Sequence, residues 1–248
     1  MKSGIITAAT SALLFSGVGN ATEIKVLSTQ ATEQAYRELV PQFEQASGHK
    51  VTTIFTGTLD ANKRLAAGET YDLVIMSSAS IDEHIKGGKV VPGSRVDVAK
   101  SGVAVAVRAG APKPDISTTE ALKKTLLAAK SIGYSTGPSG NYVIGMFQRM
   151  GIADEIKSKL KRTPTGVFVA SLIASGEAEV GFQQVSELIA APGVDYVGPL
   201  PADIQQMTVF SSGILVGAKE VDAAKALVKF ITAPAAAAAF KKRGMEPG

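Results

Sequence analysis

The feature that most constrains this chain is a repeated unit: a short apolar strand, a loop of small hydroxyl residues, then a helix. It stands first at Glu23-Ile-Lys-Val-Leu27, Ser28-Thr-Gln-Ala-Thr32 and the helix from Glu33. It returns at Thr56–Asp60, Ser77–Ser80 and Ser135–Tyr142. Strands that alternate with helices predict a largely parallel sheet with crossover helices rather than a sandwich. A loop of donors at a helix N-terminus is also a place to hold an anion, because the first N–H groups have no partner in the helix and its dipole is positive there.

The units predict strand Ile24–Leu27 with helix Glu33–Ala46, strand Val51–Phe55 with helix Asp60–Ala67, and strand Leu73–Met76 with helix Ile81–Gly87. Tyr36, Leu39, Val40 and Phe43 recur at three- and four-residue spacing, one apolar face turned to the sheet. Gly48, Gly68 and Gly87-Gly88 mark the helix ends. Val103–Val107 reads as a strand buried on both faces. Helix Ser117–Ala128 and strand Ile132–Tyr134 follow, then helices Asn141–Met150 and Val167–Ser175, strand Val180–Phe182 and helix Ser186–Ala190. Thr208–Val216 predicts a long strand, with closing helices Ala223–Thr232 and Ala235–Arg243.

Two such series need two crossings, and the long apolar strands Ser101–Val107 and Thr208–Val216 supply them. The expected division is lobe 1 at residues 22–101 plus 212–248 and lobe 2 at residues 102–211. Both lobes would turn strand C-terminal ends toward one cleft, and the crossings would act as a hinge.

Composition narrows the function. Met1–Ala21 has the charge, apolar stretch and small-residue end of a signal peptide cleaved after Ala21, shorter than a membrane span. The chain has no cysteine, hence neither a disulfide nor a lipid-anchored thiol. A freely soluble monomer in the bacterial periplasm is expected. Without Lys2 the balance is 25 basic to 22 acidic side chains, compatible with an anionic ligand. The basic cluster Lys157–Arg162 lacks interleaved aromatics and reads as a solvated helix end, which argues against nucleic acid. His49 and His84 are isolated, so neither a transition-metal site nor a Ser-His-Asp centre can be assembled, and no cofactor is implied. No P-loop or dinucleotide fingerprint sits at a strand–helix junction.

The candidate ligand residues follow from the loops. Ser28, Thr29 and Gln30 end the first strand, and Thr56, Gly57 and Thr58 the second, where Gly57 lets a backbone N–H approach an oxyanion. Ser77 and Ser78 end the third. Thr136, Ser139, Gly140, Asn141 and Tyr142 form the richest loop. Gln183 and Gln184 end a buried strand at the cleft mouth and can both donate and accept. Thr163-Pro-Thr165-Gly166 is a weaker candidate, and Lys63 or Arg64 could supply a counter-charge to a multivalent carboxylate.

These motifs, in order, make the chain resemble the periplasmic solute-binding proteins of ABC transporters, in the molybdate-binding-protein superfamily. The resemblance rests on Ser28-Thr-Gln-Ala after the first strand, Thr56-Gly-Thr-Leu with Arg64-Leu-Ala-Ala-Gly68, and Tyr71-Asp72 ahead of Ser77-Ser78. It continues through Gly133–Gly140, Gly176-Glu-Ala-Glu-Val-Gly181 and Phe240-Lys-Lys-Arg-Gly244. It implies a two-lobed periplasmic-binding-protein fold of type II, hinged by two crossing strands, that holds a small oxyanion or carboxylate with neutral donors and delivers it to a permease. Two departures matter. Gln30-Ala-Thr32 stands where the family carries Ser-Leu, and Gln183-Gln184 where molybdate binders carry a tyrosine. Both favour a larger, planar ligand such as a di- or tricarboxylate. This branch is similar to an exported aconitate isomerase, so turnover by an allylic proton shift is the alternative to transport. For that alternative Tyr142 is a candidate proton carrier and Lys63 or Arg64 candidate carboxylate clamps, and no residue declares itself catalytic.

Overall fold

The computed structural model describes residues 21–248, so the expected signal peptide lies, up to Asn20, outside the described residues. The chain runs β1 (Glu23–Thr29), α1 (Glu33–Ser47), β2 (Lys50–Thr56), α2 (Thr58–Ala66), β3 (Leu73–Ser77) and α3 (Ser78–Lys86). Then come β4 (Val96–Arg108), α4 (Thr119–Ala128), β5 (Ile132–Tyr134), α5 (Pro138–Arg149), α6 (Ala153–Ile156) and β6 (Leu160–Arg162). The rest is α7 (Val169–Ser175), β7 (Val180–Gln184), α8 (Val185–Leu188), β8 (Val194–Pro199), β9 (Met207–Ile214), α9 (Val221–Ile231), α10 (Ala237–Lys242) and β10 (Glu246–Pro247).

Strand order is β2-β1-β3-β9-β4-β7-β5-β6. The β1 pairings with β2 and β3 are parallel, as are those of β5 with β6 and β7. The crossing strands β4 and β9 pair antiparallel with each other. This is the two-lobed, type II α/β architecture with two crossing strands as hinge. β9 stays with the first sheet, on β3 and on β4 up to Gly102, whereas β4 beyond Val103 pairs with β7 and β8.

Side chains alternate along the buried half of β4 with the strand period of two. Val103, Val105 and Val107 pack with Leu122, Phe147 and Phe182 under α4 and α5. Ala104 and Ala106 face the other way, toward Val169, Ile173 and Leu188. Small residues are needed on that face because α7 lies tight on the sheet. A Cβ on Gly181 would stand 2.6 Å from Val169 Cγ1, and one on Gly133 3.0 Å from the same atom. In the first lobe Ile24, Val26, Tyr36, Phe43, Phe210 and Leu227 fill one face of the sheet. Leu27, Leu65, Val74 and Ile81 fill the other.

Several boundaries move from the sequence expectation. The α2 and α3 helices begin directly after Gly57 and Ser77, so Thr58 and Ser78 are first-turn residues. Asp82, within α3, pairs with Arg95 at 2.9 Å. The Lys157–Arg162 cluster is only partly a helix end, because Leu160–Arg162 forms β6.

The Tyr71-Asp72 motif has a structural purpose. Asp72, 5% exposed, accepts from Lys25 N at 2.8 Å and from Lys219 N and Glu220 N at 2.8 and 3.0 Å. One carboxylate thereby ties β1 to the segment that starts α9. Asp72→Ala leaves those N–H groups without their acceptor and should lower unfolding stability by about 3 kcal/mol in urea melts.

Candidate functional site

The parallel pairings deliver the C-terminal ends of β1, β2 and β3 to one edge of lobe 1, and those of β5, β6 and β7 to the facing edge of lobe 2. The lobes meet there. Gln30 Nε2 donates to Gly166 O at 3.0 Å, across 136 residues of chain. A Cβ on Gly57 would stand 2.6 Å from both Gly166 N and Thr165 Oγ1, so at this contact any larger side chain would prop the lobes apart.

The hydroxyls at these strand ends divide into two groups. Some are spent within the protein. Ser28 Oγ donates to Thr29 O at 3.1 Å and lies 3.2 Å from Thr32 Oγ1. Thr56 Oγ1 donates to Asp60 Oδ2 at 2.8 Å. Ser77 caps α3, accepting from Ser80 N at 3.4 Å. Ser135 and Ser139 hydroxyls lie 3.2 Å apart, and Gly137 N donates to Ser135 Oγ at 3.2 Å. Gly140 rests on that loop's own backbone, where an added Cβ would fall 1.8 Å from Ser135 O.

A second group of buried hydroxyls has no hydrogen-bond partner among the described residues: Thr29 Oγ1, Thr163 Oγ1 and Thr165 Oγ1. Thr29 and Thr163 are 4% and 2% exposed. Buried hydroxyls are nearly always satisfied, so a set of orphans on facing strand ends marks a place built for a polar guest. Thr58 stands opposite Gly137, its Oγ1 4.0 Å from where a Cβ on that glycine would lie. Ser78 is half-buried at the start of α3.

Other expected ligand residues are held elsewhere. Gln183 Oε1 accepts from Val169 N at 2.7 Å, at the start of α7. The Gln184 amide serves the hinge: its nitrogen donates to Ser101 O and Gly102 O at 3.0 and 3.1 Å, and its oxygen accepts from Thr208 Oγ1 at 3.0 Å. The Tyr142 hydroxyl donates to Ile204 O, and the Arg149 guanidinium lies 5.1 Å from its ring centre. Arg64 is engaged by Asp60 at 2.8 Å and Glu69 at 3.2 Å, while Lys63 is exposed. The Arg64 bond, helped by Thr56, holds the Asp60 carboxyl below its ordinary range. Both histidines are half-buried rather than on the open surface: His84 Nε2 meets Asn62 Oδ1 at 2.9 Å and His49 stacks on Phe43.

Two pockets flank the lobe junction. One, of about 410 Å³, is bounded by Gln30, Gln34 and Arg243 from lobe 1 and by Phe168, Ser186 and Glu187 from lobe 2. The other, of about 470 Å³, collects Tyr134, Ser135, Thr136, Asn141 and Arg162 against Leu59 of lobe 1. Glu187 and Arg162 were not singled out from the sequence. The acid has a visible signal, standing three residues after Gln184 as the second member of a capping box. Arg162 was hidden in the basic cluster.

Glu187 is unusual. Burial pushes its carboxyl from the ordinary 4.5 up to about 7, against the opposing bonds from Gln184 N and the Gln183 amide, with the Glu33 charge adding to the rise. Between those two values the folded protein binds more protons than the unfolded chain, so this group makes stability fall as pH rises. The loss across that window is at most about 3 kcal/mol. Glu187→Gln keeps the cap and should flatten that part of the stability profile in denaturant melts from pH 4.5 to 8.

The fold and the junction define a hinged solute-binding protein. The chain belongs to the bacterial extracellular solute-binding protein family, which it matches over residues 24–246. Within it, the molybdate-binding-protein superfamily is its setting. It is 37% identical to an aconitate isomerase of Pseudomonas sp over 232 residues, 91% of this chain and 88% of that one. It is 27% identical to the molybdate-binding protein ModA of Azotobacter vinelandii over 241 residues, 93% and 92% of the two chains. Among solved structures, the periplasmic molybdate-binding protein of Azotobacter vinelandii superposes with a TM-score of 0.76 at 21% identity, covering 91% of this chain and 99% of that one. The sulfate-binding protein SubI of Mycobacterium tuberculosis H37Rv gives 0.73 at 21% identity, covering 91% and 87%.

Proposed function

We propose that the cleft closes on a small polycarboxylate of the aconitate type and interconverts its cis and trans isomers in the periplasm. The observation that carries this reading is the set of buried, unpartnered hydroxyls of Thr29, Thr163 and Thr165 at the lobe junction. They offer neutral, fixed donors to a carboxylate, and such donors stabilise the enolate-like charge that builds on it when a neighbouring C–H is broken. The 37% identity with an aconitate isomerase along 91% of the chain supports the substrate class. Thr58, Thr136, Asn141 and Ser78 complete the proposed ligand surface. Ser28, Thr56, Ser77, Ser139, Gly140, Tyr142, Gln183 and Gln184 enter it as supports.

In this reading a base takes a proton from the methylene carbon of the substrate. The freed electron pair forms a new double bond to the central carbon, and the old double bond takes up a proton at its outer carbon. One group can do both if it is partly protonated near neutral pH. Glu187, at about 7, has that property; it lines the pocket beside Gln30, whereas Thr136 and Asn141 line the other, so this reading has the substrate reach across the junction between the two. The Tyr142 hydroxyl is given to Ile204 O, and this reading assigns it a supporting place.

The test is proton NMR of the purified mature protein with trans-aconitate. Cis-aconitate should form at a protein-dependent rate, and kcat/KM should rise through about pH 7 as Glu187 loses its proton, which Glu187→Gln abolishes while binding persists. Thr163→Val should weaken aconitate binding about tenfold yet leave folding stability unchanged or slightly raised, since its hydroxyl bonds nothing among the described residues. Binding without conversion would instead favour the second reading, a receptor that hands the carboxylate to an ABC permease. The ModA relatives support that alternative. Failure to bind any polycarboxylate would overturn both.

A further inference from the structure

We propose that Arg162, with Thr136 and Asn141, forms a second carboxylate subsite beside the threonine hydroxyls, and that this subsite selects ligands carrying more than one carboxylate. The inference rests on the polycarboxylate reading above and names the residue that sets its specificity. In the β5–β6 pair Tyr134 and Arg162 are register partners, and Thr163 N donates to Tyr134 O at 3.0 Å. The two strands therefore deliver Arg162 and the Ser135–Thr136 turn to the same pocket, and Thr163, whose hydroxyl is an orphan, is the next residue along the chain. Leu59 closes the pocket from the opposite lobe.

The charge arrangement gives the pocket its chemistry. Arg37, Arg64 and Arg95 are each held by a carboxylate at 2.8–2.9 Å. The Arg162 side chain has neither an ion pair nor a hydrogen bond among the described residues, and no acid lines its pocket. The side chains of Thr136 and Asn141 are likewise without partners among the described residues, so a guanidinium, an amide and a hydroxyl are collected with no acceptor to serve. A guanidinium presents a planar fork that matches the plane of a carboxylate. A single tetrahedral oxyanion seated among the threonines has no second group to place there. A di- or tricarboxylate has one. Both lobes build the pocket, so a ligand that fills it also contacts the lobe that must close.

The experiment is isothermal titration of wild type, Arg162→Gln and Arg162→Lys with trans-aconitate, with the monocarboxylate crotonate and with molybdate. Arg162→Gln should weaken trans-aconitate about ten- to a hundredfold and leave crotonate within about twofold. Arg162→Lys should recover part of the loss, since a point charge lacks the fork. Arg162 is exposed, so the variants should melt as wild type does. Unchanged trans-aconitate binding in Arg162→Gln would overturn the subsite and leave the proposed function standing. An equal loss for crotonate would also overturn it, by showing that Arg162 serves the first carboxylate. No polycarboxylate binding by wild type would overturn the subsite together with the reading beneath it.

Discussion

A strand that leaves one sheet and enters another must satisfy its backbone through the change of partner, and this molecule depends on how that is done. β4 pairs with β9 up to Gly102 and with β7 from Val103. At the junction two glutamine side chains act as short pieces of strand. The Gln205 amide accepts from Val103 N at 2.8 Å and donates to Val103 O at 3.0 Å. The Gln184 amide takes the carbonyls of Ser101 and Gly102. The buried backbone groups are thus kept paired at the place where the sheet must bend. Side-chain amides can follow a rotation that would break a regular ladder, which is why the hinge can be both dry and mobile.

The same chemistry explains why one kind of loop serves two ends. Each strand of the parallel sets except β7, which ends in Gln183-Gln184, finishes in or runs into hydroxyl residues, and whether a hydroxyl is structural or available depends on what lies within reach. Ser77 finds the first turn of α3, Thr56 finds Asp60 and Ser28 finds Thr32. Thr29, Thr163 and Thr165 find nothing among the described residues. The functional surface is what remains after the protein has used its own donors.

That distinction sets the limit of what the sequence reveals. Strand–helix alternation and the glycine stops disclose the fold class and nearly all the long elements, because burial and helix termination act locally. β6 and β8 stay hidden: Leu160-Lys-Arg162 is short and charged, and Val194–Pro199 is bounded by proline and lacks clean alternation. Gln183 and Gln184 look like ligand amides because they occupy the same position after a strand as the hydroxyl loops do. In the structure they bond Val169 and the backbone at 101–102, partners set by tertiary packing. Arg162 is invisible for a related reason. In sequence it is one of a run of bases, and its isolation from acids exists only in space.

The contact between Gln30 and the Gly166 carbonyl has a consequence for the surroundings in which the protein works. It joins the lobes through two neutral groups, and the glycine pair beside it brings backbone to backbone without charge. Ionic atmosphere screens charged pairs and leaves such contacts almost untouched. That link between the lobes therefore holds alike in dilute and in saline media, whereas the Glu33 charge felt by Glu187 across the junction is screened.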